Sequence, residues 1–227
     1  MITLENFAEM MPELPNIPAK LDYKRTSQLA QDLFVIAKLN FKRNGFFVEF
    51  GATDGFQLSN THLLEKEFGW RGILAEPAKC FHEALSKNRG PFCKDAIWNK
   101  TGETVIFKET TLPALSTITG FSECDMHERK QAGIYEVNTI SLNDLLTKYN
   151  APEQIDYLSI DTEGSEFEIL NAFDFSKHKF NIITCEHNFT DNRDKIFNLL
   201  TGNGYMRVMK EFTEFDDWYV GGSCLPL

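Results

Sequence analysis

Phe46-Phe47-Val48-Glu49-Phe50 is a short β-prone run, and Gly51-Ala52-Thr53-Asp54-Gly55 breaks it into a turn. Ser59-Asn60-Thr61 then leads into the helix-like Leu63-Leu64-Glu65-Lys66-Glu67, so the unit reads as strand, glycine loop and helix. Gly69-Trp70-Arg71-Gly72 turns the chain into Ile73-Leu74-Ala75-Glu76, a second strand closed by Pro77 and followed by a helix-like segment from Phe81 to Leu85. Two successive βα units predict an open α/β domain built on a parallel sheet.

The pattern continues in both directions. Upstream, Leu29, Leu33, Ile36 and Leu39 fall at helical spacing after Thr26 or Ser27 as cap, with Asn44-Gly45 as the stop. Residues 1–24 carry Pro12, Pro15 and Pro18, which predict an extended arm, so the domain proper is expected over 25–227. Downstream, residues 93–98 read as a third strand, and Thr104-Val105-Ile106-Phe107 as a strand outside the parallel set. Residues 109–135 are polar and mixed, a pattern that predicts a long loop with one short helix. Strands are expected at Tyr157-Leu158-Ser159-Ile160 and Ile182-Ile183-Thr184-Cys185, with helices over 142–148, 166–172 and from Thr190-Asp191 to Thr201. Residues 205–209 and 218–220 complete the sheet as an antiparallel pair.

Charge and composition exclude several classes. A formal net charge of -10 opposes a nucleic-acid backbone, whose non-specific affinity comes from lysine and arginine displacing counterions. Twenty phenylalanines are scattered through the chain and form no periodic stacking platform. The five cysteines, Cys80, Cys93, Cys124, Cys185 and Cys224, include no C-x-x-C pair, which fits a reducing, cytoplasmic setting. The N-terminus lacks a basic start and an apolar segment, and no membrane span is expected.

In an open α/β sheet, ligands bind beyond the carboxyl ends of the strands, and here those ends are acidic. Glu49 and Asp54 flank the first turn, Glu76 ends the second strand, Asp95 lies in the third, Asp161 and Glu163 follow the fourth, and Glu186-His187 follow the fifth. Gly51 and Gly55 let main-chain donors approach a ligand, and a carboxylate placed like Glu76 accepts hydrogen bonds from both ribose hydroxyls. Together these features suit an adenosine cofactor. A dinucleotide needs its pyrophosphate on a helix N-terminus directly after a G-x-G-x-x-G turn, and the chain has neither feature. S-adenosylmethionine carries a sulfonium cation and no phosphate, so nearby carboxylates attract it. An NAD-dependent oxidoreductase and a non-catalytic adenosine-binding module are the competing readings.

Several motifs in one order resemble the FkbM-type methyltransferases. They are Ser27-Gln28-Leu29-Ala30-Gln31-Asp32, Gly45 through Gly55, Ser59-Asn60-Thr61 with Leu64-Glu65, Gly69-Trp70-Arg71-Gly72, Glu76-Pro77, and Ile155-Asp156-Tyr157-Leu158-Ser159-Ile160-Asp161-Thr162-Glu163-Gly164-Ser165-Glu166. The resemblance covers about residues 26–220. It implies a Rossmann-like class I methyltransferase fold, an open, mostly parallel seven-stranded sheet flanked by helices with an antiparallel edge strand. It also implies S-adenosylmethionine-dependent O-methylation of a hydroxyl on a sugar, glycan or polyketide-like small molecule. Carried over, Glu49, Gly51, Asp54, Gly55 and Asn60 resemble the methyl-donor loop, Glu76 the ribose acceptor, and Asp95 with Ala96 the adenine edge. Thr53 stands where the general E-x-G-x-G-x-G loop has its middle glycine.

A hydroxyl is a poor nucleophile, so a base or a metal should remove its proton as attack proceeds. Asp161 is the first candidate base and His187 the second, both placed by motif position. Asp161, Glu186 and His187 could together ligate magnesium or manganese, an oxygen-rich set suiting those ions. The expected set of functional residues nevertheless includes no metal ligand. The expected partners are a small-molecule or carbohydrate acceptor and a second copy of the chain in a homo-oligomer.

Overall fold

The computed structural model describes residues 25–222; the N-terminal arm expected over 1–24 lies outside the described residues. Its main sheet has six strands in the order β2-β1-β7-β8-β10-β9. These are β1 (Phe46–Phe50), β2 (Arg71–Ala75), β7 (Gln154–Ile160), β8 (Lys179–Glu186), β9 (Tyr205–Val208) and β10 (Asp216–Gly221). β2, β1, β7 and β8 run parallel, and β10 is antiparallel to both β8 and β9. The reversed strand is therefore interior, and the edge belongs to β9, a correction to the expected antiparallel edge.

Two-residue alternation sets the layers. Val48, Phe50, Leu158, Ile183 and Tyr219 face one core with α4 (Leu142–Lys148), α5 (Glu166–Asn171) and α6 (Asn192–Gly202). Phe47, Tyr157, Ile182, Trp218 and Val220 face the other with α1 (Gln31–Lys38), α2 (His62–Phe68) and α3 (His82–Arg89). The parallel strands are buried on both faces, which is why they read as continuous apolar runs. Each fully buried Leu, Ile or Phe contributes about 1.5–3 kcal/mol.

The seventh strand is reduced to a bridge. Cys93 donates its N–H to Leu74 at 2.8 Å and accepts from Glu76 at 2.9 Å, pairing in parallel with Ala75. The chain then leaves that edge, and β3 (Ala96–Trp98) pairs with Thr139, Ile140 and Ser141 of β6 (Gln131–Ser141). β6 also pairs antiparallel with β4 (Thr104–Thr110), and β5 (Thr117–Ile118) completes a second sheet in the order β3-β6-β4-β5. The loop expected over 109–135 thus contains the end of β4, all of β5 and the start of β6. The N-terminal half of β6 has no buried residue until Val137, so no apolar alternation marked it, and its ladder to β4 is held by backbone bonds.

The first helix begins later than expected. Thr26 and Ser27 donate their N–H groups to the Asp32 carboxylate and do not cap it, and Ala30 at φ 68 starts α1. Left-handed Asn40 and Phe41 end it before Asn44. No helix among the described residues is long and apolar enough to cross a membrane. The four described cysteines are free thiols.

Candidate active site

The carboxyl ends of β1, β2, β7 and β8 open into one cavity, roofed by the second sheet. Glu49, buried on β1, accepts from the Asn60 N–H at 2.7 Å and from the hydroxyls of Ser59 and Thr61, with Arg89 at 3.9 Å. These bonds fold the loop after β1 back over the strand end. Gly51 is needed at its start: φ is 72, and a Cβ would stand 2.0 Å from the Asp161 carbonyl oxygen. Thr53, at the position of the usual middle glycine, adopts φ 46 and donates its N–H to Glu76 at 2.8 Å.

Asp54 and Gly55 hold the loop from behind. Asp54 accepts from the N–H groups of Phe56 and Gln57, closing its own turn, while Gly55 packs on Leu85 and Arg89. Neither lines the cavity; Glu49, Gly51, Thr53 and Asn60 do. Asn60 binds Ser159 through Nδ2, and its Oδ1 is buried without a partner among the described residues.

At the end of β2, Glu76 is buried and lines the cavity, each oxygen holding one backbone donor: Thr53 at 2.8 Å and Ala78 at 2.7 Å. Burial pushes its carboxyl up to about 7 against those two donors, with the charge of Glu109 adding to the rise. Ala96 and Ile97 form the neighbouring wall. Asp95 is turned out of it, 3.7 Å from Lys148 and beside the Cys93 thiol.

Asp161, Glu163 and Glu186 cluster on the opposite wall. Glu163 sits in a turn with φ 59, followed by Gly164 at φ 120. The Glu166 carboxylate fixes that turn by accepting from the N–H groups of Thr162 and Gly164. Arg129, from the chain entering β6, binds Glu163 and Asp125, and Thr117 of β5 donates to the Glu163 carbonyl at 2.8 Å. These bonds fasten the second sheet across the acidic wall. Burial, together with the charges of neighbouring carboxylates, raises Asp161 and Glu186 well above the ordinary carboxylate range. Burial also brings Glu163 to about 7 despite Arg129.

His187 does not join them. Its Nδ1 accepts from the Phe189 N–H at 3.0 Å, Nε2 lies 3.8 Å from Asp217, and the side chain is absent from the cavity lining. Burial lowers its pKa. The acidic group contains Glu163 in place of His187, because the chain turns after β8 and carries the imidazole toward Arg193 and Arg207. Glu163 was visible in the sequence as the acid after Asp161. Arg129, in a segment expected to be loop, had no motif to mark it.

No curated protein sequence matches the chain. Among solved structures, a precorrin-6y C5,15-methyltransferase from Geobacter metallireducens is 14% identical, with a TM-score of 0.46 over 89% of this chain and 91% of that one. A putative RNA methyltransferase from Pyrococcus horikoshii is 11% identical, with a TM-score of 0.43 over 97% and 99%. Likeness this distant leaves the chemistry to be read from the chain itself. The sequence match is firmer, since a family model described as the methyltransferase FkbM domain fits residues 49–219. This chain belongs to the FkbM methyltransferase family.

Proposed function

We propose that the cavity binds S-adenosylmethionine and that the chain transfers its methyl group to a hydroxyl oxygen of a sugar, glycan or polyketide-like small molecule. The observation that carries this reading is the convergence of the Gly51 loop, Glu76 and Asp161 on one cavity at the strand ends. Each Glu76 oxygen has one donor already, which leaves acceptor capacity for a ribose diol. The unpartnered Asn60 Oδ1 is a ready acceptor for the donor's amino group. Ala96 and Ile97 provide an apolar wall for adenine. Asp54, Gly55 and Glu49 keep the loop in shape, and Asp95, facing Lys148 outside the cavity lining, has no direct contact with the donor in this reading.

When bound, S-adenosylmethionine supplies an electrophilic methyl group on positively charged sulfur. The protein's share is alignment, water exclusion and handling of one proton. In this reading Asp161, which lines the cavity, orients the acceptor hydroxyl or takes its proton, and the loops around β5 shape the acceptor side. A dinucleotide is disfavoured because α2 begins only at His62, so no helix N-terminus meets the glycine turn.

Isothermal titration tests the reading. S-adenosylmethionine and S-adenosylhomocysteine should each bind once per chain, and Glu76→Ala should weaken both by at least about tenfold, in line with losing a hydrogen bond to a charged acceptor. Binding of NADH in their place would overturn the proposal, and failure of every adenosine ligand would point to a module without this chemistry.

A further inference from the structure

One carboxylate oxygen from each of Asp161, Glu163 and Glu186 lies within 4.8 Å of the other two. Oxygen ligands stand about 2.0–2.6 Å from a hard divalent cation, so two ligands of one ion are at most about 5 Å apart. The three oxygens satisfy that bound. Positive charge is scarce around them: Arg129 is shared between Asp125 and Glu163, and it addresses only Oε2 of Glu163. Among the described residues, no lysine or arginine is ion-paired with Asp161 or Glu186.

A second observation comes from Glu186. It is only 7% exposed, it lines the cavity, and its Oε2 has no hydrogen-bond partner among the described residues. A buried carboxylate oxygen without donor or cation is costly, and buried charges are found paired or on metals. Asp217, one strand away, shows how this protein treats a structural carboxylate: two arginines bind it. Glu186 is buried much as Asp217 is, but no arginine binds it; it hydrogen-bonds Asp161, and its Oε2 is left over.

We infer that Asp161, Glu163 and Glu186 hold a divalent cation at the cavity wall. An all-oxygen set without cysteine or histidine selects a hard ion of the Mg²⁺ or Mn²⁺ type over zinc. Three carboxylates leave coordination positions for water and for an acceptor oxygen, and a hydroxyl bound to the ion loses its proton more readily. The ion thus shares the task given to Asp161. That role rests on the methyl-transfer reading, whereas binding of the ion does not.

The full chain, stripped with a chelator, is titrated with MnCl₂ and MgCl₂ by calorimetry and by thermal unfolding. One Mn²⁺ should bind per chain and raise Tm. Glu186→Gln should weaken Mn²⁺ at least tenfold and abolish the Tm rise, while its metal-free form melts no lower than the unsubstituted chain because one like charge has gone. Asp161→Asn should show the same loss of Mn²⁺ affinity, and Asp174→Asn, on the surface, should leave it unchanged. Absence of Mn²⁺ and Mg²⁺ binding at millimolar concentration, or unchanged affinity in both cavity variants, would overturn the inference. S-adenosylhomocysteine titrated in chelator separates the two readings. Its binding without any Mn²⁺ binding sinks the metal site alone, and Mn²⁺ binding without it supports the metal site while sinking the methyl-donor reading.

Discussion

Two carboxylate groups on neighbouring strands live under opposite rules. Asp217 on β10 accepts from Arg193 at 2.9 and 3.1 Å and from Arg207 at 2.9 Å. Burial pushes its carboxyl up, and these bonds more than reverse that, leaving it below its ordinary value. Asp161 is raised by burial and by the charge of Glu163, and Glu186 by burial and by the charge of Asp161, with no lysine or arginine ion-paired to either among the described residues. A fold that satisfies one buried acid with two arginines gives the other pair none, and leaves Oε2 of Glu186 without a partner among the described residues at a cavity. Acids neutralised inside the protein hold structure together; acids left open to a cavity are available to a ligand.

The sharpest way to break this contrast is to neutralise one acid from each side. Asp161→Asn should reduce turnover by about 10²–10⁴-fold, the usual span for losing a group that handles a proton, with S-adenosylhomocysteine affinity within a few fold of the parent. Single-turnover kinetics with calorimetry checks it, and near-normal turnover would remove Asp161 from the chemistry. Asp217→Asn should instead cost stability, about 2 kcal/mol once screening is allowed for, since both arginines reach solvent. Urea unfolding would show a lower midpoint with an unchanged slope, while binding of the methyl-donor analogue persists.

Acidity separates the groups further. The depressed pKa of Asp217 means that its contribution is present above its unfolded value of 3.8 and fades as pH falls through the lower folded value. Glu76 behaves oppositely. Its folded value of about 7 exceeds the ordinary 4.5, so the stability linked to its proton is full below about 4.5 and is lost as pH rises through about 7. Ligand binding should run the other way, because the ionised form is the better acceptor for a diol. The affinity of S-adenosylhomocysteine should therefore rise between pH 6 and 8, by at most about tenfold per unit. Glu76→Gln should flatten that profile, and an unchanged slope in the variant would place the titration elsewhere.

The βα units from Phe46 to Glu76, the buried strands around Leu158 and Ile183, and the helices over 142–148 and 166–172 were legible in the sequence. Their apolar residues are buried on both faces, and that burial leaves continuous runs. Gly51 could be read as a turn, but the reason for it, a carbonyl of Asp161 where its Cβ would go, involves a residue far along the chain. In the second sheet, β3 and β4 were legible as strands, whereas β6 was not, because it lacks apolar alternation and is held by backbone bonds that any side chain permits.

Local pattern by itself determined the α/β class, the family motifs and the acidic strand ends, since periodicity and turn chemistry act over a few residues. Only the tertiary structure decided which acids share a cavity. Glu163 enters and His187 leaves because of how the chain turns after β7 and β8, and Arg129 reaches the acidic wall only once the second sheet has folded across it. Proximity between distant segments is set by packing, which no local spacing encodes.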